Sequence, residues 1–381
     1  MRVRGGGPLT SVAIHADQLW FSTPGGIGTY IRELVPALER ADSTLTLTLF
    51  RSRWDSPGPS DEWLNGKRVV QVPAGIGSLY PRWDLLARPR LPPSLAGHEI
   101  VHATNPVAIP PAGARQRLVV TVHDVAFEKF PSLYSRRWRW LYRMGLRATE
   151  RRADAILTPS QATADDVVAL TGRERVHVVP LAATLPKRHA DPSEALRRLG
   201  IPSPYVLFVG ALEPRKNLVR LVRAYRKAAA SGLPHALVLA GWPGWRPDEL
   251  LSEIAREGPG RIVRSGALAG DDLDAVFRGA AVFVYPSLYE GFGLPVIEAM
   301  ARGIPTVASA VSSIPEVAGT AAYLVDPRSE DEIASAIERV LTDESVAAQL
   351  RARGPAQAKK FTWDATAAGT LAVYREVMAE R

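Results

Sequence analysis

The 381-residue chain contains no cysteine. That absence excludes a disulfide framework, a thiolate nucleophile, Cys-ligated zinc and iron–sulfur clusters, and makes a reducing cytosol the natural compartment. Long apolar runs are also missing: the longest, such as 205–209 and 281–285, are far too short to span a bilayer. Residues 1–7 are charged and then glycine-rich, and the next apolar stretch contains His15 and Asp17, which makes a poor signal peptide. A cytoplasmic chain is expected, soluble or peripheral at the inner face of the membrane. Acidic residues are in deficit, 39 Asp+Glu against 47 Lys+Arg. Such a balance suits nucleic acid, an anionic membrane surface or phosphorylated substrates, and net charge alone does not choose among them.

What is present reads as globular. With 46% apolar and 23% charged residues the chain is not disordered throughout, and its length suggests two domains. Short β-rich runs alternate with helical stretches, the pattern of α/β domains with parallel sheets. In the first half, strands are expected over 11–15, 45–50, 69–72, 100–103, 118–122, 155–158 and 176–179, with helices over 28–40, 136–151 and 161–171. The proline-rich stretch 182–204, with one short helix over 193–199, reads as a linker. The alternation then restarts with strands over 205–209, 236–240, 262–264, 281–285, 306–308 and 323–325, and helices over 218–230, 248–256, 271–279, 293–302 and 330–341.

The expected fold class is therefore two doubly wound, Rossmann-like domains, 1–184 and 185–360, facing across a cleft, with a last helix in 361–381 packing back on the first. Split before Leu185, the chain carries 23 Lys+Arg and 16 Asp+Glu in the first part and 24 and 23 in the second. The surplus positive charge is thus N-terminal.

Four motifs sit at strand ends. Glu290-Gly291-Phe292-Gly293-Leu294-Pro295-Val296-Ile297-Glu298 sets two carboxylates around a glycine turn that opens a helix. Such a turn lets backbone N–H groups approach a phosphorylated, polyhydroxylated ligand, though a capped helix with one solvated glutamate has the same sequence. Gly210-Ala211-Leu212-Glu213-Pro214-Arg215-Lys216-Asn217 places two adjacent cations at a strand-to-helix turn. They suit a diphosphate and a leaving group that gains charge; a merely solvated helix start is the alternative. Gly25-Gly26-Ile27-Gly28 fits an anion cradle or a tight turn. His123-Asp124 follows a strand, where an imidazole can serve a sugar hydroxyl or simply bond its neighbours.

These elements, in this order, resemble the retaining glycosyltransferases of family 4, which have the GT-B fold. Pro159-Ser160, Ser309-x-x-Ser312-Ser313-x-Pro315-Glu316-Val317-Ala318-Gly319 and Phe361-x-Trp363 extend the resemblance. Within the family the chain looks most like bacterial mannosyltransferases of polysaccharide assembly that use GDP-mannose. The resemblance implies that Glu290 and the Gly291, Phe292, Gly293 and Leu294 backbone hold sugar hydroxyls, Glu298 the ribose, and Arg215 and Lys216 the diphosphate. It places His123 beside the transferred sugar and Gly26 and Gly28 near the phosphate and acceptor. Many members have arginine where this chain has Ala211, so Arg215 must supply that charge or the diphosphate is held differently. The expected partners are a nucleotide-sugar donor and a glycan or lipid-linked acceptor; no cofactor, no essential metal and no nucleic acid are expected.

Two further features compete for attention. Asp272-Leu273-Asp274 has a metal-binding spacing, but behind Gly270-Asp271 it reads as the capped, charge-matched start of a helix. The segment 135–152 contains seven arginines. At helical spacing Arg136, Arg143, Arg147 and Arg151 share a face with Trp140, while Trp138, Leu141, Tyr142 and Gly145 lie opposite. That face fits an anionic membrane, and equally a solvated surface or pairing with acids of the same domain. A phosphorylase-like enzyme, a non-catalytic nucleotide-sugar regulator, and a family 4 enzyme using a UDP- or dTDP-sugar with a small acceptor remain alternatives.

Overall fold

The computed structural model describes residues 9–54, 64–186 and 191–380, so residues 1–7 lie outside the described residues. The chain divides into two compact units, Met1–Leu181 with Trp363–Arg381, and Ala182–Thr362. In the first unit the strands are β1 (Ser11–His15), β2 (Thr46–Arg51), β3 (Val69–Gln71), β4 (Ile100–Ala103), β5 (Arg117–Thr121), β6 (Ala155–Thr158) and β7 (Val176–Val178). Its helices are α1 (Gly25–Ala41), α2 (Ile76–Leu86), the single turn α3 (Ala126–Lys129), α4 (Arg136–Arg152) and α5 (Gln161–Thr171). The second unit begins with α6 (Pro192–Arg198) and continues β8 (Tyr205–Val209), α7 (Leu218–Ala229), β9 (Ala236–Ala240), α8 (Asp248–Ala255), β10 (Ile262–Gly266), α9 (Gly270–Arg278) and β11 (Val282–Tyr285). It ends with α10 (Leu294–Ala301), β12 (Thr306–Ser309), α11 (Ile314–Ala318), β13 (Tyr323–Val325), α12 (Glu330–Thr342) and α13 (Glu344–Ala358), before α14 (Trp363–Ala379) returns the chain to the first unit.

Both sheets are parallel, with strand orders β3-β2-β1-β4-β5-β6-β7 and β10-β9-β8-β11-β12-β13 among the described residues. Each order reverses once, beside β1 in the first sheet and beside β8 in the second. These are doubly wound sheets, whose ligands bind where the order reverses, outside the carboxyl ends of the strands. Helices on both faces explain why β8 and β9 are buried along their whole length and read as continuous apolar runs.

The stretch read as a linker is partly core. Leu196 and Ile201 are buried in the second unit, α6 packs on α9, and Arg198 pairs with Asp272. Gly279 makes room, since a Cβ there would lie 2.7 Å from Leu196 Cδ1. Helices α2 and α13 escape the sequence pattern because each contains glycine and proline, normally helix breakers. Packing decides otherwise: Leu79, Tyr80 and Trp83 of α2 are buried, and Gly354 of α13 lets the helix close on the Met300 carbonyl of α10.

In the first unit Gly145 brings α4 against the chain after β4, where a Cβ would stand 1.6 Å from the Pro106 carbonyl oxygen. Gly77 of α2 is different, with nothing within 4 Å of its Cβ position. Gly145→Ala should therefore destabilise the first unit by about 1–3 kcal/mol, the usual scale of overpacking. Gly77→Ala should leave stability unchanged or raise it by up to about 1 kcal/mol; urea unfolding of both variants checks the contrast.

Candidate functional site

The second unit concentrates charge where its strand order reverses, between the turns that follow β8 and β11. Glu290 divides its carboxylate between two cations: Lys216 Nζ donates to Oε1 at 2.6 Å, and Arg215 Nη1 stands 3.0 Å from Oε2. Lys216 also donates to the Tyr285 hydroxyl at 2.6 Å, and Arg215 reaches Glu213 Oε1 at 2.7 Å and the Tyr289 carbonyl at 2.7 Å. All these side chains are buried or nearly so. Burial by itself would raise the Glu290 pKa, but Arg215 and Lys216 outweigh it and hold the carboxyl down at about 2. Lys216 is pushed down, first by burial and then by Arg215. The two cations and two carboxylates sum to zero, so the cluster is buried without an uncompensated charge.

Backbone contacts fix this geometry. Leu288 N donates to the Arg215 carbonyl, and Asn217 Nδ2 donates to the Pro286 and Pro327 carbonyls from a left-handed residue that opens α7. Ser312 Oγ accepts from Glu290 N at 2.9 Å, and Ser313 Oγ donates to the Glu290 carbonyl at 2.9 Å. Glu213, Tyr285, Ser312 and Ser313 thus complete the cluster without having been singled out in the sequence as site residues. For the serines the signal was present, because their motif stands among the matched ones. Gly293 opens α10 with φ +102°, close against Ile314. Gly291 and Phe292 are buried, Phe292 packs edge-on to Phe361, and Glu298 is half-buried in the body of α10.

In the first unit the glycine loop is shorter than expected. α1 already begins at Gly25, so Gly26 and Gly28 lie in its first turn, with Gly28 tight against Pro24. His123 follows β5 with Nε2 3.0 Å from the Thr104 carbonyl, and its ring stands edge-on to Tyr30 at 4.8 Å. A carbonyl only accepts, so Nε2 carries the proton and Nδ1 keeps its lone pair. Burial holds His123 down at about 4 against the pull of Asp124. Behind it runs a buried chain: Tyr30 OH to Thr121 Oγ1 at 3.1 Å, Thr121 Oγ1 to His102 Nε2 at 2.7 Å, and His102 Nδ1 to Tyr374 OH of α14 at 2.6 Å. Burial lowers His102 to about 3.

The features outside these sites resolve differently. Asp271 and Asp272 fall in the first turn of α9, but the N-cap is Ala269 and no side chain caps it. Asp272 pairs with Arg198 instead, and buried Asp274 with Arg302 at 2.8 Å. On α4, Arg136, Arg147 and Arg151 are exposed with Trp140, as the spacing predicts. Trp138, placed on the opposite face, is exposed as well, and Arg143 is taken by Glu128 at 2.5 and 2.7 Å.

Comparison with known proteins adds the family. Residues 24–184 match the model described as Glycosyltransferase Family 4 and residues 194–359 the model described as Glycosyl transferases group 1. The O-antigen chain mannosyltransferase B of Escherichia coli is 34% identical over 68% of this chain and 70% of its own length. The chain belongs to glycosyltransferase family 4. A D-inositol 3-phosphate glycosyltransferase of Acidothermus cellulolyticus is 35% identical over 60% of this chain, which spans about half (54%) of that relative. Among solved structures, Anabaena Alr3699/HepE in complex with UDP and glucose superposes with a TM-score of 0.73 at 21% identity, over 96% of this chain and 100% of that one. That likeness is one of fold, and the two doubly wound units are those of the GT-B class.

The histidine assignments give a direct check. Nitrogen-15 NMR should find His123 and His102 neutral from pH 8 to about 5, His123 with its proton on Nε2. Because both folded pKa values lie below that of an unfolded histidine, stability should fall as pH drops from about 6.5 towards about 4. Protonation of either ring near pH 6.5 would contradict the assignment.

Proposed function

We propose that this glycosyltransferase moves mannose from GDP-mannose to a hydroxyl of a lipid-linked or other glycan, with retention of anomeric configuration. The observation that carries the reading is the Glu290 carboxylate shared between Arg215 and Lys216 where the strand order reverses. Such a pair of cations suits a departing diphosphate, whose charge rises as the glycosidic bond breaks. In the proposed step the bond from sugar C1 to the phosphate oxygen breaks, and a bond from C1 to the acceptor oxygen forms on the same face. The acceptor proton passes to the departing phosphate. Each Glu290 oxygen is already paired with a cation, so its role is to hold Arg215 and Lys216 side by side and not to attack the sugar.

The Gly291–Leu294 backbone and Glu298 complete the donor site in this reading, and Gly26, Gly28 and the Nδ1 edge of neutral His123 serve the acceptor side. The step requires no cofactor and no essential metal. The exposed α4 arginines support an anionic membrane surface as the place where the acceptor is met. No helix among the described residues is long and apolar enough to cross a membrane. The mannosyltransferase relative favours mannose; the second reading is a UDP- or dTDP-sugar donor with a small-molecule acceptor, and the D-inositol 3-phosphate relative supports its acceptor side.

Thermal unfolding with GDP-mannose, UDP-glucose and dTDP-glucose separates the two, since a ligand that binds only the folded state raises its stability. The first should raise Tm; a shift with a UDP- or dTDP-sugar alone would favour the second. Lys216→Ala and Glu290→Ala should each lower kcat by about 10²–10³, read with circular dichroism to confirm folding. Turnover at the native rate in both would remove the site assignment, and an inverted anomer by NMR would remove the mechanism.

A further inference from the structure

Between α2 and α4 the first unit has a groove of about 150 Å³ lined by Ile76, Gly77, Tyr80, Arg137, Trp138 and Leu141. The proposed transfer does not use it. Its walls are hydrocarbon: Tyr80 gives its hydroxyl to Asp17 Oδ2 at 2.9 Å, so the ring is what remains for the groove. Gly77 keeps it open. Like Gly145 it has an ordinary negative φ, but unlike Gly145 it has no neighbour within 4 Å of its Cβ position, so neither backbone nor packing demands glycine there. A side chain at that position would fill the groove.

The rim is cationic and aromatic. Arg137 and Trp138, which line the groove, are exposed, and Arg137 has no ion-pair partner among the described residues. Arg136, Arg147 and Trp140 are exposed as well, on the other face of the same helix. A ligand matched to this surface joins a short aliphatic segment to an anionic group. Nucleic acid answers the arginines but has nothing to place in a hydrocarbon groove, whereas arginine beside tryptophan on one helix is the composition of an interfacial helix.

We propose that the α2–α4 face docks on an anionic phospholipid bilayer, with a segment of one lipid chain entering the groove and that lipid's phosphate paired with Arg137. This deepens the membrane-surface part of the functional reading and is independent of which donor is used.

The test uses the full chain with vesicles of phosphatidylglycerol and phosphatidylcholine, against phosphatidylcholine alone, and with a brominated-chain phosphatidylglycerol that quenches nearby tryptophan. The native protein should co-sediment with the anionic vesicles only and be quenched by the brominated lipid. Gly77→Leu should keep the native Tm and lose most of the quenching. Arg137→Glu should weaken sedimentation by about tenfold, as expected when a surface cation is reversed. Equal sedimentation with both vesicle types, quenching unchanged in Gly77→Leu, or capture of duplex DNA by the native protein without vesicle binding would each overturn the proposal. Nucleotide-sugar stabilisation of Tm, measured on the same samples, reports separately on the donor site: its absence in the native protein counts against the donor reading and leaves the lipid result standing.

Discussion

Arg215 and Lys216 are neighbouring cations in surroundings that disfavour charge, and they stay together because one carboxylate is shared between them. Without Glu290, burial and mutual repulsion would both act against Lys216. With it, the turn after β8 and the turn after β11 become one object, stitched further by Asn217, Leu288, Ser312 and Ser313. The arrangement sits where the strand order reverses, which is where a doubly wound sheet leaves a crevice. Its charges cancel in the protein, so the two cations are held desolvated and oriented. In the function proposed above, a diphosphate would meet them already in place, the preorganisation that lowers a barrier without reorganisation during the reaction.

The first unit uses the opposite electrostatic device. His102 and His123 are held neutral by burial, and the Thr104 carbonyl fixes the His123 proton on Nε2. The chain from Tyr30 through Thr121 and His102 to Tyr374 joins the glycine-rich start of α1 to α14, a helix more than 180 residues beyond the rest of its unit. An unpaired phenol in that interior would carry a desolvation cost, so α14 has a polar reason as well as an apolar one to lie where it does. The α4 face follows a third pattern, with unpaired arginines left exposed beside tryptophan.

Much of this was legible in one dimension. The alternation of apolar strands and helices fixed the number and order of most elements, because parallel strands covered on both faces must be apolar throughout. Helices α2 and α13 were not legible, since their glycines and prolines argue against helix locally, and only the burial of Leu79 and Trp83 in α2 and the approach of Gly354 in α13 to Met300 override that preference. The stretch before β8 looked like a linker for the same reason: its charges and prolines are local facts, whereas the burial of Leu196 depends on α9 and Gly279. Trp138 misled in the other direction, because helical spacing says which residues share a face but not where the neighbouring helix ends.

The sequence by itself determined the doubly wound class, the family, and the residue types at each strand end, since those follow from local periodicity and from motifs carried on contiguous stretches. Pairing was decided only in three dimensions. That Glu290 serves Arg215 and Lys216 at once, that Arg143 is spent on Glu128, and that Gly77 borders open space while Gly145 touches a carbonyl all depend on contacts between distant segments. Charge and glycine can be counted along a chain; what each charge meets, and what each missing side chain leaves room for, is set by the packing of elements that the chain order keeps apart.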